Sequence, residues 1–396
     1  MDAAIKLRTV HYRPFGTDCQ AELSNRRTCG ILSPVHCLLL TECRFLLTSG
    51  RGLMTDPWPI AGHNKTVRLL HREIASGQLA HAYLFAGPPQ IGKRTLAFTF
   101  AQALLCGNRE PPCNDCDNCK HAARHLHPDL LVIDFQTQAR LLNEAKVKQG
   151  ALKIETIRIV QRDLALRPLQ SSRKVIIIPN AQLLTTAAAN ALLKTLEEPP
   201  AHALLLLTAP EADDLLPTIV SRCRVIPLHL LSTEQVREAL IGPPWQADPE
   251  QADLLAHLSG GRIGWAIRAL QDADVLDERR KTLDTLQQAL AGDDVIRLRV
   301  AEQFARQSNH GIGTLTLWST WWRDLLLRQS GAGNALSNVD REHELAEAAE
   351  AWATETTHAA LTALQETVAA LERNANPRLA WEAFLLTLPR LNDLGR

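Results

Sequence analysis

The sequence has no excess of charge of either sign: 43 lysine and arginine residues are matched by 43 aspartate and glutamate over 396 positions. That balance excludes a protein that holds nucleic acid by bulk electrostatics and leaves room only for a local basic patch. Long apolar runs are missing too. None approaches the ~20 residues that a membrane span needs, so no membrane partner is expected. Methionine is confined to Met1 and Met54. The nine cysteines are an odd number, and four sit in one short cluster with metal-ligand spacing. A disulfide framework is therefore disfavoured, and a reducing cytoplasmic setting is expected.

What is present describes a globular chain, with 45% hydrophobic and 22% charged residues. Its length exceeds what one hydrophobic core serves, so two or three domains are expected. Residues 1–53 show neither helical nor alternating periodicity and hold Cys19, Cys29, Cys37 and Cys43. No fold is assigned to them. The organised pattern begins just after Met54, which is the expected native start, with residues 1–56 a misassigned extension or a disordered tail. A transit peptide competes with this reading because the segment is Arg-rich, but its scattered acids and cysteines weaken that.

From Thr66 to Ser76 the spacing of Val67, Leu70 and Ile74 predicts an amphipathic helix closed by Gly77. Short apolar runs at 82–86, 130–133, 174–178, 203–208 and 224–228 read as buried strands. Helical patterns lie between them, at 92–106, 154–164, 185–197 and in "LLPTIVSRC". This alternation predicts a parallel sheet covered on both faces. Beyond Leu231 the strands stop. "STEQVREAL" opens a compact helical region to about Ala289, broken at "GPPW" and "SGGRIG", and everything from about Ala291 is helical. In that last part Trp318, Trp321 and Trp322 suit either a bundle core or a subunit interface.

Four stretches carry chemistry. "GPPQIGKRT" places Gly87, Gly92 and Lys93 as a phosphate loop between strand and helix, where backbone N–H groups, the helix N-terminus and the lysine can surround phosphate oxygens. The magnesium ligand expected after the lysine is replaced by Arg94, and Thr95 comes one residue late, rotated ~100° around the helix. A neighbouring strand should end in carboxylates that complete the metal shell and orient water. Here it ends in Pro179 and Asn180, which supply neither. The frame of a nucleotide site is kept, hydrolysis by this chain is not expected, and occupancy by ATP stays open. "CGNREPPCNDCDNC" places Cys106, Cys113, Cys116 and Cys119 as a closed tetrahedral zinc site of structural type, with His121, His125 and His127 read as ordinary histidines. Lastly, "TIVSRCRVI" sets Arg222 between a short helix and a strand, either a solvated side chain or a guanidinium offered to a neighbour's phosphate.

Taken with "HAYLFAGPPQIGK", "LLTTAAANALLKTLEEPP", "PTIVSRCRVI" and "NANPRLAWEAFLL", these residues make the chain resemble the bacterial DNA polymerase III clamp-loader family over about residues 58–388. The resemblance implies an AAA+ P-loop domain of α/β class over 57–229, with a zinc module at 106–119. A small helical lid would follow at 230–290, and an all-α C-terminal collar that oligomerises at 291–396. It implies a hetero-pentamer with gamma/tau motor subunits and a delta subunit, acting on a sliding clamp and primer-template DNA. Ser221, Arg222 and Cys223 match the family's SRC motif, whose arginine acts in trans on ATP held by the adjacent motor subunit. The departures at Arg94, Pro179 and Asn180, and at Gly264 where motor subunits carry a lid arginine, resemble those of the family's stator type. Two other classes stay open: a motor-type ATPase, for which Lys93 speaks, and a zinc-dependent nucleic-acid-binding module.

Overall fold

The structure, a computed structural model, describes residues 58, 60–108, 110–144, 150–307 and 311–391. The readings placed on residues 1–56, including the start at Met54, fall outside the described residues.

The chain opens with α1 (Asn64–Ser76), closed by Gly77 in the left-handed conformation. There follow β1 (Ala82–Ala86), α2 (Lys93–Leu105), α3 (Asp117–Ala123), β2 (Leu130–Val132), α4 (Phe135–Leu141) and α5 (Ile154–Leu164). Next come β3 (Lys174–Ile178), α6 (Thr186–Glu197), β4 (Ala203–Ala209), α7 (Pro217–Val220) and β5 (Arg224–Pro227). The strands form one parallel sheet in the order β2-β3-β4-β1-β5. Both faces are covered, which is why β1, β3 and β4 are apolar throughout rather than alternating. Tyr83, Phe85, Val175, Ile177, Leu204 and Leu206 face the core under α1 and α2, while Leu84, Ile176, Ile178, Leu205 and Leu207 face the core under α5 and α6. The expected strands and longer helices are present, but β2 stops at Val132, β4 runs on to Ala209, β5 stops at Pro227, and α3 and α4 lie where no helix was expected. The ladder still continues one bond further, because the Leu228 amide donates to the Ala86 carbonyl at 2.7 Å.

Edge strand β5 is tied to α1 by a buried carboxylate. Glu73, 6% exposed, accepts from the Tyr83 hydroxyl at 2.5 Å and pairs with Arg224 at 2.7 Å. Such a group is tolerated only because both oxygens have charged or hydroxyl partners.

After the sheet all described elements are helical: α8 (Thr233–Ile241), α9 (Pro249–Ser259), α10 (Ile263–Gln271), α11 (Ala273–Ala291), α12 (Asp294–Ala305), α13 (Ile312–Gln329), α14 (Glu342–Ala351), α15 (Thr354–Glu372) and α16 (Pro377–Thr387). Short 3-10 turns interrupt the loops. Ser232 caps α8 in a reciprocal box with Gln235. Val236, Leu240, Leu255 and Ile263 belong to a small core of their own, whereas Leu283 and Leu286 of α11 already join the core of the last helices.

That last core settles the alternative left open for the tryptophans. Trp318, Trp321 and Trp322 are each 0% exposed, packed with Phe304, Trp352, Trp381 and Phe384. They are bundle core and not an exposed interface, since a group with no accessible surface has none to offer a partner. A buried cation closes the bundle: the Arg297 guanidinium donates to the carbonyls of Ala289, Leu385, Leu388 and Pro389 at 2.7–3.1 Å. These oxygens lie at helix ends, where the chain itself leaves carbonyls unpaired.

Candidate functional site

The phosphate-type loop runs from β1 to α2, across residues 87–92, at the carboxyl end of the parallel sheet. That is the edge where open α/β sheets place ligands. Gly87 is required there because a Cβ would run into the Leu228 carbonyl oxygen. The carbonyls of the loop are engaged within the chain. Lys93, 9% exposed, donates to the carbonyls of Gly87 and of Pro88, the latter at 2.9 Å. His63 Nε2 pairs with the Ile91 carbonyl at 3.2 Å, and the amide of Gly264, in the first turn of α10, donates to the Gln90 carbonyl at 2.8 Å. Burial lowers the Lys93 ammonium to about 8, against the weaker opposing pull of Asp214.

Around the loop, the metal-handling positions are occupied by other chemistry. Arg94 lies over the Phe98 ring at 5.3 Å, Phe98 in turn stacks on His125 at 4.1 Å, and Thr95 is exposed on α2. At the end of β3 Pro179 is buried, and Asn180 takes a left-handed turn with its amide on Thr208 Oγ1 at 3.1 Å. Asparagine suits that backbone and carries no charge. Gly264 stands so close to the loop that a Cβ would lie 2.7 Å from the Gln90 carbonyl oxygen. No side chain, arginine included, fits at 264 without moving loop or helix.

The second group is the cysteine cluster at the end of α2 and the start of α3. The Sγ atoms of Cys106, Cys113, Cys116 and Cys119 all lie within 4.8 Å of one another, with Cys106 to Cys116 at 4.0 Å and Cys113 to Cys119 at 3.9 Å. A tetrahedron with metal–sulfur bonds of ~2.3 Å has edges of ~3.8 Å, so the cluster could hold a metal ion with little adjustment. The amides of Cys116 and Cys119 donate to the sulfurs of Cys113 and Cys116, both at 3.4 Å, and Asn108 donates to Cys106 at 3.5 Å. Bonds from the Cys116 and Asp115 amides bring the Cys113 thiol down to about 6, whereas burial pushes the Cys106 and Cys119 thiols up. The nearby histidines stay outside the set. His125 stacks on Phe98, and His127 is buried with Nδ1 accepting from the Asp129 amide at 3.0 Å.

Arg222 sits just after α7 with its side chain 36% exposed. Its Nη1 donates to the Thr218 carbonyl at 2.9 Å and reaches Ser221 Oγ at 3.5 Å, while Nη2 pairs with Glu197 at 2.9 Å. Glu197, at the end of α6, is the partner that sequence reasoning missed. Its place in "LEEPP" was visible, but nothing local linked it to a position 25 residues later. The neighbouring Cys223 thiol is pushed up to about 12 by burial, which makes it an unreactive packing residue.

Two family models match the chain: one described as DNA polymerase III, delta subunit, over residues 62–232, the other as DNA polymerase III, delta subunit, C terminal, over residues 273–389. The chain is similar to DNA polymerase III subunit delta' of Bacillus subtilis, at 30% identity over 221 residues, covering 55% of this chain and 62% of that one. To subunit delta' of Pseudomonas aeruginosa it is 35% identical over 219 residues, covering 54% and 62%. Subunit tau of Salmonella typhimurium is 33% identical over 183 residues, covering 46% of this chain and 26% of tau. The match thus spans 62% of the length of these delta' relatives.

Proposed function

The chain belongs to the DNA polymerase III clamp-loader family and is delta-prime-like, and from this we propose that it is a stator subunit, which helps ATP-dependent loading of a sliding clamp onto primer-template DNA without hydrolysing ATP itself. In this reading it sits in a hetero-pentamer beside gamma/tau motor subunits and a delta subunit. Residues 57–229 form the AAA+ nucleotide-binding-type domain, 230–290 the lid and 291–396 the collar. Zinc held by Cys106, Cys113, Cys116 and Cys119 would be structural, since four thiolates leave no open position for chemistry.

The observation that carries the reading is an asymmetry between two sites. At Gly87, Gly92 and Lys93 the phosphate loop is engaged with its own carbonyls and the lid, and Arg94, Thr95, Pro179 and Asn180 give a magnesium ion no ligand set. At Arg222 a permanently charged, planar donor stands at the surface. Phosphoryl transfer gains from such a donor placed on the γ-phosphate from a neighbouring subunit, where charge accumulates on the equatorial oxygens. The exposed pair with Glu197 costs only ~0–1 kcal/mol to release, so the guanidinium is parked rather than locked.

The test compares ATP turnover by the purified chain with turnover after gamma/tau and delta subunits are added. The chain alone is expected to be inactive and to raise turnover of the assembly. Brisk hydrolysis by the chain alone, abolished by Lys93→Ala, would assign it to the motor type instead.

A further inference from the structure

Glu197 stands at an unfavourable place for a carboxylate. It is the last residue of α6, and Pro199 and Pro200 follow closely and stop the helix. The last turn of a helix gathers unpaired carbonyls and partial negative charge, which favours a cation there and works against an acid. Lys194, exposed three residues earlier on the same helix, could answer that charge, yet it has no ion pair among the described residues. The carboxylate meets Arg222 instead, 25 residues further along the chain, with Oε1 2.9 Å from Nη2. Both side chains are open to solvent, Arg222 at 36% and Glu197 at 50%, so a neighbouring molecule can reach the pair and the pair can part.

The contact is one of three on the same guanidinium. Nη1 donates to the Thr218 carbonyl at 2.9 Å and to Ser221 Oγ at 3.5 Å, both in the turn that carries Arg222 itself. Those two bonds set where the guanidinium sits and leave its charge intact. Glu197 acts on the charge: it neutralises the cation and occupies Nη2, while Nε has no partner among the described residues. Arg224, two positions on, is no substitute cation, because it is paired with the buried Glu73 at 2.7 Å. A carboxylate and the terminal oxygens of a γ-phosphate are alternative acceptors for one planar donor. The first must leave before the second can take its place, and a group that is free for only a fraction of the time binds correspondingly less well.

We infer that Glu197 is a positioning residue that acts through Arg222: it stands in for the γ-phosphate while no neighbour presents one, and holds the guanidinium at rest until an ATP-loaded motor subunit is seated against it. The inference rests on the trans role of Arg222 proposed above. The test measures kcat/KM for ATP hydrolysis by the assembly of the full chain with gamma/tau and delta subunits, for the parent, Glu197→Gln, Arg222→Ala and the double variant. Glutamine keeps the size and reach of the side chain and removes its charge. Glu197→Gln is expected to raise kcat/KM by about two- to fivefold, the factor that an exposed ion pair of this kind imposes. In the Arg222→Ala background it should change nothing. The free Glu197→Gln chain should unfold at the parent's temperature, because the lost ion pair is offset by removal of a carboxylate from the helix end. An unchanged kcat/KM in Glu197→Gln overturns the inference, and so does a lower one, which would mean that the carboxylate holds Arg222 in its working pose. The same rise in the Arg222→Ala background also overturns it, since the effect would then not pass through the guanidinium. Those three results leave the trans role standing as long as Arg222→Ala alone slows the assembly. If Arg222→Ala does not slow it, the trans role falls and this inference with it.

Discussion

Gly264→Ala is the sharpest test of the contact between α10 and the phosphate-type loop. The new Cβ would stand 2.7 Å from the Gln90 carbonyl oxygen, 3.3 Å from its carbon and 3.5 Å from its Cα, all backbone atoms that cannot swing aside. Forcing extra volume into such a contact costs ~1–3 kcal/mol. Separating helix from loop also lengthens the 2.8 Å bond from the Gly264 amide to Gln90, worth ~0.5–1.5 kcal/mol. Against this stands a gain of up to ~1 kcal/mol from the better helix propensity of alanine, smaller in the first turn. The net expectation is a loss of ~1–4 kcal/mol. It would appear as a lower urea midpoint and as faster amide exchange confined to residues 88–93 and the start of α10. Gly264→Arg should cost more than alanine and still not create an ATPase. If Gly264→Ala left both the midpoint and the loop exchange unchanged, the contact between α10 and the loop would be wrong.

Lys93→Met removes the buried ammonium that holds the Gly87 and Pro88 carbonyls, and should lower stability by ~1–3 kcal/mol in denaturant titrations while leaving ATP turnover of the assembled complex within about twofold. Removing metal with a strong chelator, or Cys119→Ser, should release zinc detectable by a chromogenic indicator and destabilise the chain by at least ~3 kcal/mol, since structural zinc sites bind with ~10–16 kcal/mol. Asp129 predicts the acid limb. Its burial alone would raise the carboxyl, but bonds from the Leu169, Gln170 and Ser171 amides and the Ser171 hydroxyl together outweigh that and hold it below its ordinary value. The stability it contributes is present above the unfolded value of ~3.9 and is lost as pH falls through the lower folded value. Asp129→Asn should therefore be less stable at neutral pH and show a shallower loss below about pH 4 in acid unfolding followed by circular dichroism.

Most of the fold was legible because its signals are local. A strand buried on both faces must be apolar throughout, as in Val175–Ile178 and Leu204–Leu207, and the helix ends carry caps such as Thr185, Ser232 and Asp248. The cysteine cluster was equally readable, because two adjacent C-x-x-C steps hold three of its sulfurs within seven residues and only Cys106 must arrive from the end of α2. What the sequence could not show depends on long-range approach. Gly264 reads as a missing arginine, yet the reason for glycine is the Gln90 backbone 174 positions earlier. The tryptophans read as core with an interface still open, because hydrophobicity does not say which surface covers them. Glu197 and Asp129 carry no motif and are recognisable only by the atoms that meet them.

The central claim is that this chain lends a cation to a neighbour's phosphate chemistry. Single-turnover ATP hydrolysis should be followed in a complex reconstituted with Arg222→Ala, with assembly verified by size-exclusion chromatography. Intact assembly, with hydrolysis at the adjoining motor site slowed by ~10³ or more, is the predicted result. Full-rate hydrolysis in an intact Arg222→Ala complex would contradict it.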